Sequence, residues 1–290
     1  MKLVRTIEEA RGEVRRARER GRTIGLVPTM GFLHEGHLSL VDRCRELADF
    51  VGMSIYVNPL QFAPSEDFAD YPRDLERDLM LAERRRVDLV FAPDDRELYP
   101  EDLAVAVVAK RLADRLCGLS RPGHFEGVLT VVNKLFGIMQ PDVAVFGQKD
   151  FQQSVLIQRM VADLNMAVHI EVAPTVRDPD GLAMSSRNDY LSPAEREKAL
   201  ALSRALVESV RLFRAGERAA CNVRAAALRE LGEGGVDDVE YVEIVTADGL
   251  EPVVEVGGDA VMALAVRVGD TRLIDNVRLA GPDPGLERLL

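Results

Sequence analysis

Two histidines three residues apart, His34 and His37, end the stretch Pro28-Thr29-Met30-Gly31-Phe32-Leu33-His34-Glu35-Gly36-His37 and make up half of the chain's 4 histidines. The stretch follows an apolar, strand-like run from Thr23 to Val27 and leads into an amphipathic run from His37 to Ala48, so it reads as a strand-to-helix turn. A helix N-terminus presents unpaired N–H groups and partial positive charge, which suits a phosphate, and Gly36 lets a nucleotide approach the backbone. Histidines placed there can donate to phosphoryl oxygens and stabilise the charge that develops as an α-phosphoryl group is attacked. A lone histidine in such a turn is more often an ordinary cap. Two in the same turn favour the phosphate reading.

Three other stretches hold groups suited to the same chemistry. In Gly147-Gln148-Lys149-Asp150-Phe151-Gln152-Gln153, Lys149 sits after a strand and before a helix, where its ammonium can neutralise transferring phosphates while Asp150 caps the helix. The bland alternative is a solvated lysine beside a capping aspartate. Met184-Ser185-Ser186-Arg187 follows a Pro179-Asp180-Gly181 turn and reads as a mobile loop with two hydroxyls and a guanidinium able to grip phosphates. Gln61 follows the turn-forming Asn58-Pro59, and its neutral amide can bond a hydroxyl or carboxylate without fixing a charge; a loop glutamine bonded to backbone is the alternative. His124, in Arg121-Pro122-Gly123-His124-Phe125, reads as a loop residue at the rim of a site, with Arg121 able to reach a phosphate or carboxylate. His169, in a strand-like run, reads as structural. The acidic residues show no metal-ligand spacing, so magnesium is expected to arrive on nucleotide phosphates.

The elements that must hold these residues alternate in type. Strand-like runs at Thr23–Val27, Val51–Val57, Val87–Ala92, Val143–Phe146 and Val168–Ala173 are separated by helical stretches at His37–Ala48, Leu75–Arg86, Gly127–Met139 and Phe151–Leu164. That is the pattern of a parallel, doubly wound sheet, in which ligands bind beyond the carboxyl ends of the strands. Before the first of them, Thr6 and Glu9 form a capping box opening a helix that ends near Gly21. After about residue 176 the pattern changes. Ser192, Pro193 and Glu195 open a long helix reaching about Arg214, a second Ala/Arg/Leu-rich helix follows, and Val239–Val245, Ala260–Val268 and Thr271–Val277 read as strands, the last two joined at Gly269-Asp270. Two domains are expected: 1–175, an α/β nucleotide-binding domain, and 176–290, a smaller α+β domain with the Met184–Arg187 loop near its start.

His-x-Gly-His after a first strand resembles the signature of the nucleotidyltransferase superfamily, which includes the class I aminoacyl-tRNA synthetases. Tyr56-Val57-Asn58-Pro59-Leu60-Gln61-Phe62, Gly147 to Gln153 and Met184-Ser185-Ser186-Arg187-Asn188, taken with Pro28-Thr29-Met30-Gly31, are similar in order and spacing to the pantothenate synthetase family. The resemblance runs over nearly the whole chain, strongest up to about Ser192; in the C-terminal part Thr271 to Asn276 carries it. It implies a Rossmann-like α/β fold and a ligase that activates pantoate with ATP as a pantoyl adenylate, then transfers the acyl group to β-alanine. It implies that Met30, Gly31, Phe32, Leu33, His34, Glu35, Gly36, His37, Gly147, Gln148, Lys149, Asp150, Val176, Met184, Ser185, Ser186 and Arg187 bind ATP, with Val176 on the adenine side. Gln61 and Gln153 would contact pantoate, Gln61 also the place where β-alanine enters, and His34, His37 and Lys149 would be catalytic. ATP with Mg2+ is then a substrate, no tightly bound organic cofactor is expected, and a homodimer is suggested. Met184–Arg187 departs from the lysine-rich form of the tRNA synthetases, which argues against that branch. The rivals are an adenylyltransferase that leaves AMP on its acceptor and a catalytically silent nucleotide-binding regulator.

Composition sets the remaining bounds. With 47% hydrophobic and 29% charged residues, the chain can build a sizeable core. A formal charge of −11 would repel a polyanion, and clusters such as Arg84, Arg85 and Arg86 read as solvated helix faces, so no nucleic-acid partner is expected. Cys44, Cys117 and Cys221 are odd in number and far apart, which fits a reducing compartment. No apolar run reaches the ~18 residues of a membrane span, and no apolar leader follows the basic N-terminus, so a cytoplasmic location is expected. Ala63 to Tyr71 is a candidate flap.

Overall fold

The computed structural model describes residues 1–63, 68–281 and 283–289; residues 64–67 of the candidate flap lie outside the described residues. In chain order the elements are β1 (Lys2–Val4), α1 (Ile7–Glu19), β2 (Ile24–Thr29), α2 (Glu35–Leu47), β3 (Phe50–Ile55), α3 (Leu75–Arg84), β4 (Leu89–Phe91), α4 (Asp95–Leu98), α5 (Cys117–Ser120), α6 (His124–Met139), β5 (Val143–Gly147), α7 (Phe151–Asp163) and β6 (His169–Ala173). They continue with α8 (Pro193–Ala199), α9 (Ala201–Arg214), α10 (Ala220–Glu233), β7 (Asp238–Thr246), β8 (Ala260–Val268) and β9 (Thr271–Arg278). The chain divides into two compact units. The first comprises 1–113, 121–147 and 156–173; the second comprises 114–120, 148–155 and 174–290.

The first unit is built on a six-stranded sheet in the order β1-β4-β3-β2-β5-β6, with every described pairing parallel. The order reverses between β2 and β5, so the chain leaves these adjacent strands on the two sides of the topological switch point. Helices approach both faces closely because glycine leaves room. A Cβ on Gly25 would run into Cys44 and Ala48 of α2 and its end, whereas one on Gly52 would meet Met139 of α6. One core joins β2 and β3 to α2 and α3 through Val27, Leu38, Val41, Cys44, Val51, Met53 and Ala82. Burial pushes the Cys44 thiol up to about 12, so it stays protonated in that core.

The second unit contains an antiparallel sheet β7-β8-β9. α9 lies against β8 and β9 and α10 against β7. The amphipathic face of α9 supplies Leu202, Ala205, Leu206 and Val210 to a core completed by Met262, Leu264, Val266, Leu273 and Val277. β8 and β9 turn over at Gly269, which takes the positive φ of 58° that a two-residue hairpin uses at its first position.

The expected alternation of strands and helices is present, with four differences. β1 is a three-residue edge strand, too short to leave a periodic signal. α2 begins at Glu35, because His34 is its N-cap. α6 begins at His124, the chain entering it through Gly123 at a φ of 83°, so His124 is a helix residue and not a loop residue. The long helix after Ser192 is two helices meeting at Leu200, which keeps helical dihedrals.

Candidate active site

In the first unit, the turn between β2 and α2 is fixed from two directions. Thr29 Oγ1 donates to Ser54 O at 2.7 Å and accepts from Gly31 N at 3.2 Å, which ties the exit of β2 to β3. Gly31 and Phe32 both have positive φ, 86° and 51°, a conformation that Phe32 adopts only because its surroundings impose it. Asp78 of α3 imposes it: its carboxylate accepts Phe32 N at 2.8 Å and Leu33 N at 2.7 Å. Asp78 is almost fully buried. Burial pushes its carboxyl above the usual range, and the two N–H bonds and Arg77 only partly pull it back.

His34 and His37 then form a reciprocal cap. His34 Nδ1 accepts Gly36 N at 3.1 Å, His37 Nδ1 accepts His34 N at 3.4 Å, and the ring centroids are 4.1 Å apart. Capping and phosphate handling are therefore compatible here. Because each Nδ1 accepts a backbone N–H, hydrogen bonding assigns the proton of each neutral ring to Nε2, at the positive end of α2. Glu35 of the same stretch is exposed and paired with Arg85 at 2.6 Å.

Gln61 ends a 3-10 turn at Pro59–Gln61 and is largely buried. Its Nε2 donates to Met30 Sδ at 2.8 Å and its Oε1 accepts from Asn58 Nδ2 at 3.3 Å. Asn58 is held in turn by Gly127 O and the Tyr99 hydroxyl, at 3.1 and 3.0 Å. A Cβ on Gly127 would strike the backbone of Leu60 and Gln61, so α6 can meet this turn only through a glycine. Arg121 and His124, whose roles the sequence left open, hold Gln61 by its backbone: His124 Nδ1 donates to Gln61 O at 2.8 Å and Arg121 Nη2 donates to it at 3.3 Å. Arg121 Nη1 donates to His124 Nε2 at 3.1 Å, which fixes the tautomer.

In the second unit, Gln148–Asp150 form a 3-10 turn that runs straight into α7, so Asp150 ends that turn rather than standing apart as an extended N-cap. Lys149 is half-buried and Asp150 exposed, and Gln153 lies half-buried in the first turn of α7. Asn276 of β9 donates from Nδ2 to Gln148 O at 2.9 Å and to Lys149 O at 3.0 Å. Gln152 faces the other way: it accepts Cys117 N at 3.0 Å and donates to Arg115 O at 2.7 Å. Residues 176–184 double back on themselves, Met184 N donating to Val176 O at 3.0 Å and Asp178 N to Leu182 O at 2.8 Å. The Met184–Arg187 segment runs into a 3-10 turn: Ser185 caps the turn over Ser186–Tyr190, Ser186 is buried, and Asn188 Nδ2 donates to Ala183 O at 3.0 Å.

His169 is an exposed residue of the edge strand β6, its Nε2 3.6 Å from Glu171, and not a core residue; the edge of a sheet leaves such a side chain in solvent. Among the described residues no group of three or more His, Cys, Asp or Glu could hold a metal ion, and no helix is long and apolar enough to cross a membrane. Sequence reasoning missed Asp78 and did not single out Asn276. A carboxylate standing on the apolar stripe of α3, between Leu75 and Ala82, was the available signal for the first.

A parallel sheet whose switch point opens onto a histidine-capped helix N-terminus is the frame of an α/β enzyme of nucleotide chemistry. The chain belongs to the pantoate-beta-alanine ligase family, whose model matches residues 2–278. A pantothenate synthetase of Moorella thermoacetica is 56% identical over 279 residues, covering 96% of this chain and 99% of the relative. The crystal structure of pantothenate synthetase from Thermus thermophilus is similar at a TM-score of 0.92 and 44% identity, covering 97% of this chain and all of that one, 100%. A pantoate-beta-alanine ligase from Francisella tularensis, complexed with beta-gamma ATP and beta-alanine, matches at a TM-score of 0.80 and 32% identity over 98% of this chain and 99% of its own.

Proposed function

We propose that the chain condenses (R)-pantoate with β-alanine at the expense of ATP, giving pantothenate, AMP and pyrophosphate. It is a ligase that forms an amide bond, and ATP is its substrate. In the first step a pantoate carboxylate oxygen bonds to the α-phosphorus while the bond to the bridging oxygen breaks and pyrophosphate leaves. In the second the β-alanine amine attacks the acyl carbon, AMP leaves with the carboxylate oxygen, and the amine gives up a proton.

The observation that carries the reading is the reciprocal His34/His37 cap, which sets two imidazole rings at a helix N-terminus. In this reading both Nε2–H groups donate to phosphoryl oxygens in the transition state, with His37 as proton donor, and the Lys149 ammonium neutralises charge on the departing phosphates. Met30 to His37, Gly147 to Asp150, Val176 and Met184 to Arg187 take up ATP, with Val176 on the adenine side. Gln61 and Gln153 hold pantoate in line for attack. Magnesium enters on the ATP phosphates and neutralises them there. We also propose residues 1–175 and 176–290 as the two domains, a homodimer and a cytoplasmic location; light scattering at twice the 32.0 kDa chain mass would support the dimer.

The test is pyrophosphate release from Mg-ATP and (R)-pantoate, with and without β-alanine, with products followed by mass spectrometry. At most stoichiometric release without β-alanine, and turnover to AMP and pantothenate with it, is the expected result. Neither adenylate nor turnover with pantoate would overturn the substrate assignment. A product retaining AMP on its acceptor would favour an adenylyltransferase.

A further inference from the structure

We propose that Asn276, locked in place by the buried Asp275–Arg177 pair, is a positioning residue for ATP: it fixes the Gln148–Asp150 turn and joins it to the segment leading into Met184–Arg187. The inference rests on the reading that both segments bind the nucleotide.

β9 carries two buried polar residues in succession, Asp275 and Asn276, each 2% exposed. A strand points neighbouring side chains to opposite faces, so the pair serves two different partners. On one side, Asn276 spends both amide hydrogens on the successive carbonyls of Gln148 and Lys149, and its Oδ1 accepts from Gln148 Nε2 at 3.4 Å. A trans peptide unit points its C=O and N–H in opposite directions. Anchoring the carbonyls of residues 148 and 149 therefore turns the N–H groups of Lys149 and Asp150 away from Asn276, at the start of the thirteen-residue helix α7. The same two bonds set the backbone direction from which the Lys149 side chain departs.

On the other side, Asp275 receives Arg177 bidentately, Nη1 at 2.6 Å to Oδ2 and Nη2 at 2.9 Å to Oδ1. The two side chains are 3% and 1% exposed. Asp275 Oδ1 also accepts Asn276 N at 2.8 Å, so the salt bridge and the amide clamp share one carboxylate. Arg177 pairs with Ala183 across a β-bridge and donates to Gly181 O at 3.3 Å, and the following residue is Met184. Two adjacent strand residues thus bridge two stretches that are 27 or more positions apart in sequence. A buried pair of this kind contributes little net stability, because desolvating both charges offsets their attraction; its use is to fix geometry.

The test compares Asn276→Ala and Asn276→Leu with wild type in calorimetric titration with Mg-ATP, in steady-state turnover and in thermal unfolding. Leucine has the branching and the number of heavy atoms of asparagine, although it is bulkier, and lacks the donors. Both variants are expected to bind Mg-ATP about tenfold more weakly, with a matching rise in KM for ATP and KM for β-alanine within about twofold of wild type. Ser209→Ala, which removes another buried hydrogen bond of the same unit, should lower the unfolding temperature and leave ATP affinity alone. Wild-type ATP affinity in Asn276→Leu, or in both variants alongside a lowered unfolding temperature, would show that Asn276 merely fills space or stabilises the fold, and would overturn the proposal. Wild-type protein that binds Mg-ATP yet shows no pantoate-dependent turnover would sink the reaction assigned above and leave the affinity comparison decisive for Asn276. Wild-type protein that does not bind Mg-ATP would overturn both.

Discussion

The turn at Met30–His37 and the turn at Gln148–Asp150 are each held by one buried side chain from far along the chain, but by opposite chemistry. Asp78 accepts backbone N–H groups with a carboxylate; Asn276 gives hydrogens to backbone carbonyls with a neutral amide. The first clamp carries a charge that burial disfavours, so its strength responds to pH, while the second does not titrate. The two turns therefore rest on supports that fail under different conditions.

The largest expected effect tests whether both units supply chemistry. His37→Ala and Lys149→Ala should each cut turnover by roughly 10²–10³-fold with the fold intact, the size seen when one positioned donor to a developing oxyanion is removed. Near-normal turnover in either would remove that side from the reaction.

Next comes the charged clamp. Asp78→Ala leaves Phe32 N and Leu33 N buried without their acceptor and should cost about 3 kcal/mol in denaturant unfolding. Because the folded-state carboxyl is raised, the folded protein holds its proton longer than the unfolded chain does. Its contribution is full below the ordinary Asp value near ~3.9 and is lost as pH rises through the higher folded value. The stability gap between wild type and Asp78→Asn should then narrow as pH rises across that window. A gap that widens would show the carboxylate to be favoured as the anion. No such slope is expected for Asn276→Leu.

Glu240 offers the opposite sign in the second unit. Burial raises its carboxyl, but hydrogen bonds and charge from Arg272 outweigh burial and hold it below the usual range. Its contribution is present above ~4.3 and is lost as pH falls through the lower folded value. Glu240→Gln should cost about 1–2 kcal/mol at neutral pH and converge on wild type in acid, as read from urea midpoints across pH. The smallest effect is that of Ser192→Ala, which removes the capping box of α8 and should cost about 1 kcal/mol without changing any KM.

How much of this was legible in the sequence follows from where each signal is stored. The parallel sheet was readable because its buried strands are apolar runs, such as Ile24–Thr29 and Val143–Gly147. The capping boxes at Thr6 and Ser192 are local patterns and both are present in the structure. The chemistry-bearing side chains stood out by type and spacing. What holds them did not, because Asp78 and Phe32 are 46 residues apart, and Asn276 and Gln148 are 128 apart. Pairings at that separation are written only in the tertiary fold. The roles of Arg121 and His124 were hidden for the same reason, since they act on a backbone carbonyl 60 or more residues away.

The three thiols have very different surroundings: Cys44 and Cys117 are buried and Cys221 is exposed near the start of α10. Cys44, held protonated by the core beneath Gly25, is a poor nucleophile toward a maleimide. Brief labelling at neutral pH should therefore place a single fluorophore or spin label on Cys221. Unmutated protein thus offers a ready handle on the second unit for following ligand-driven motion by fluorescence or electron paramagnetic resonance.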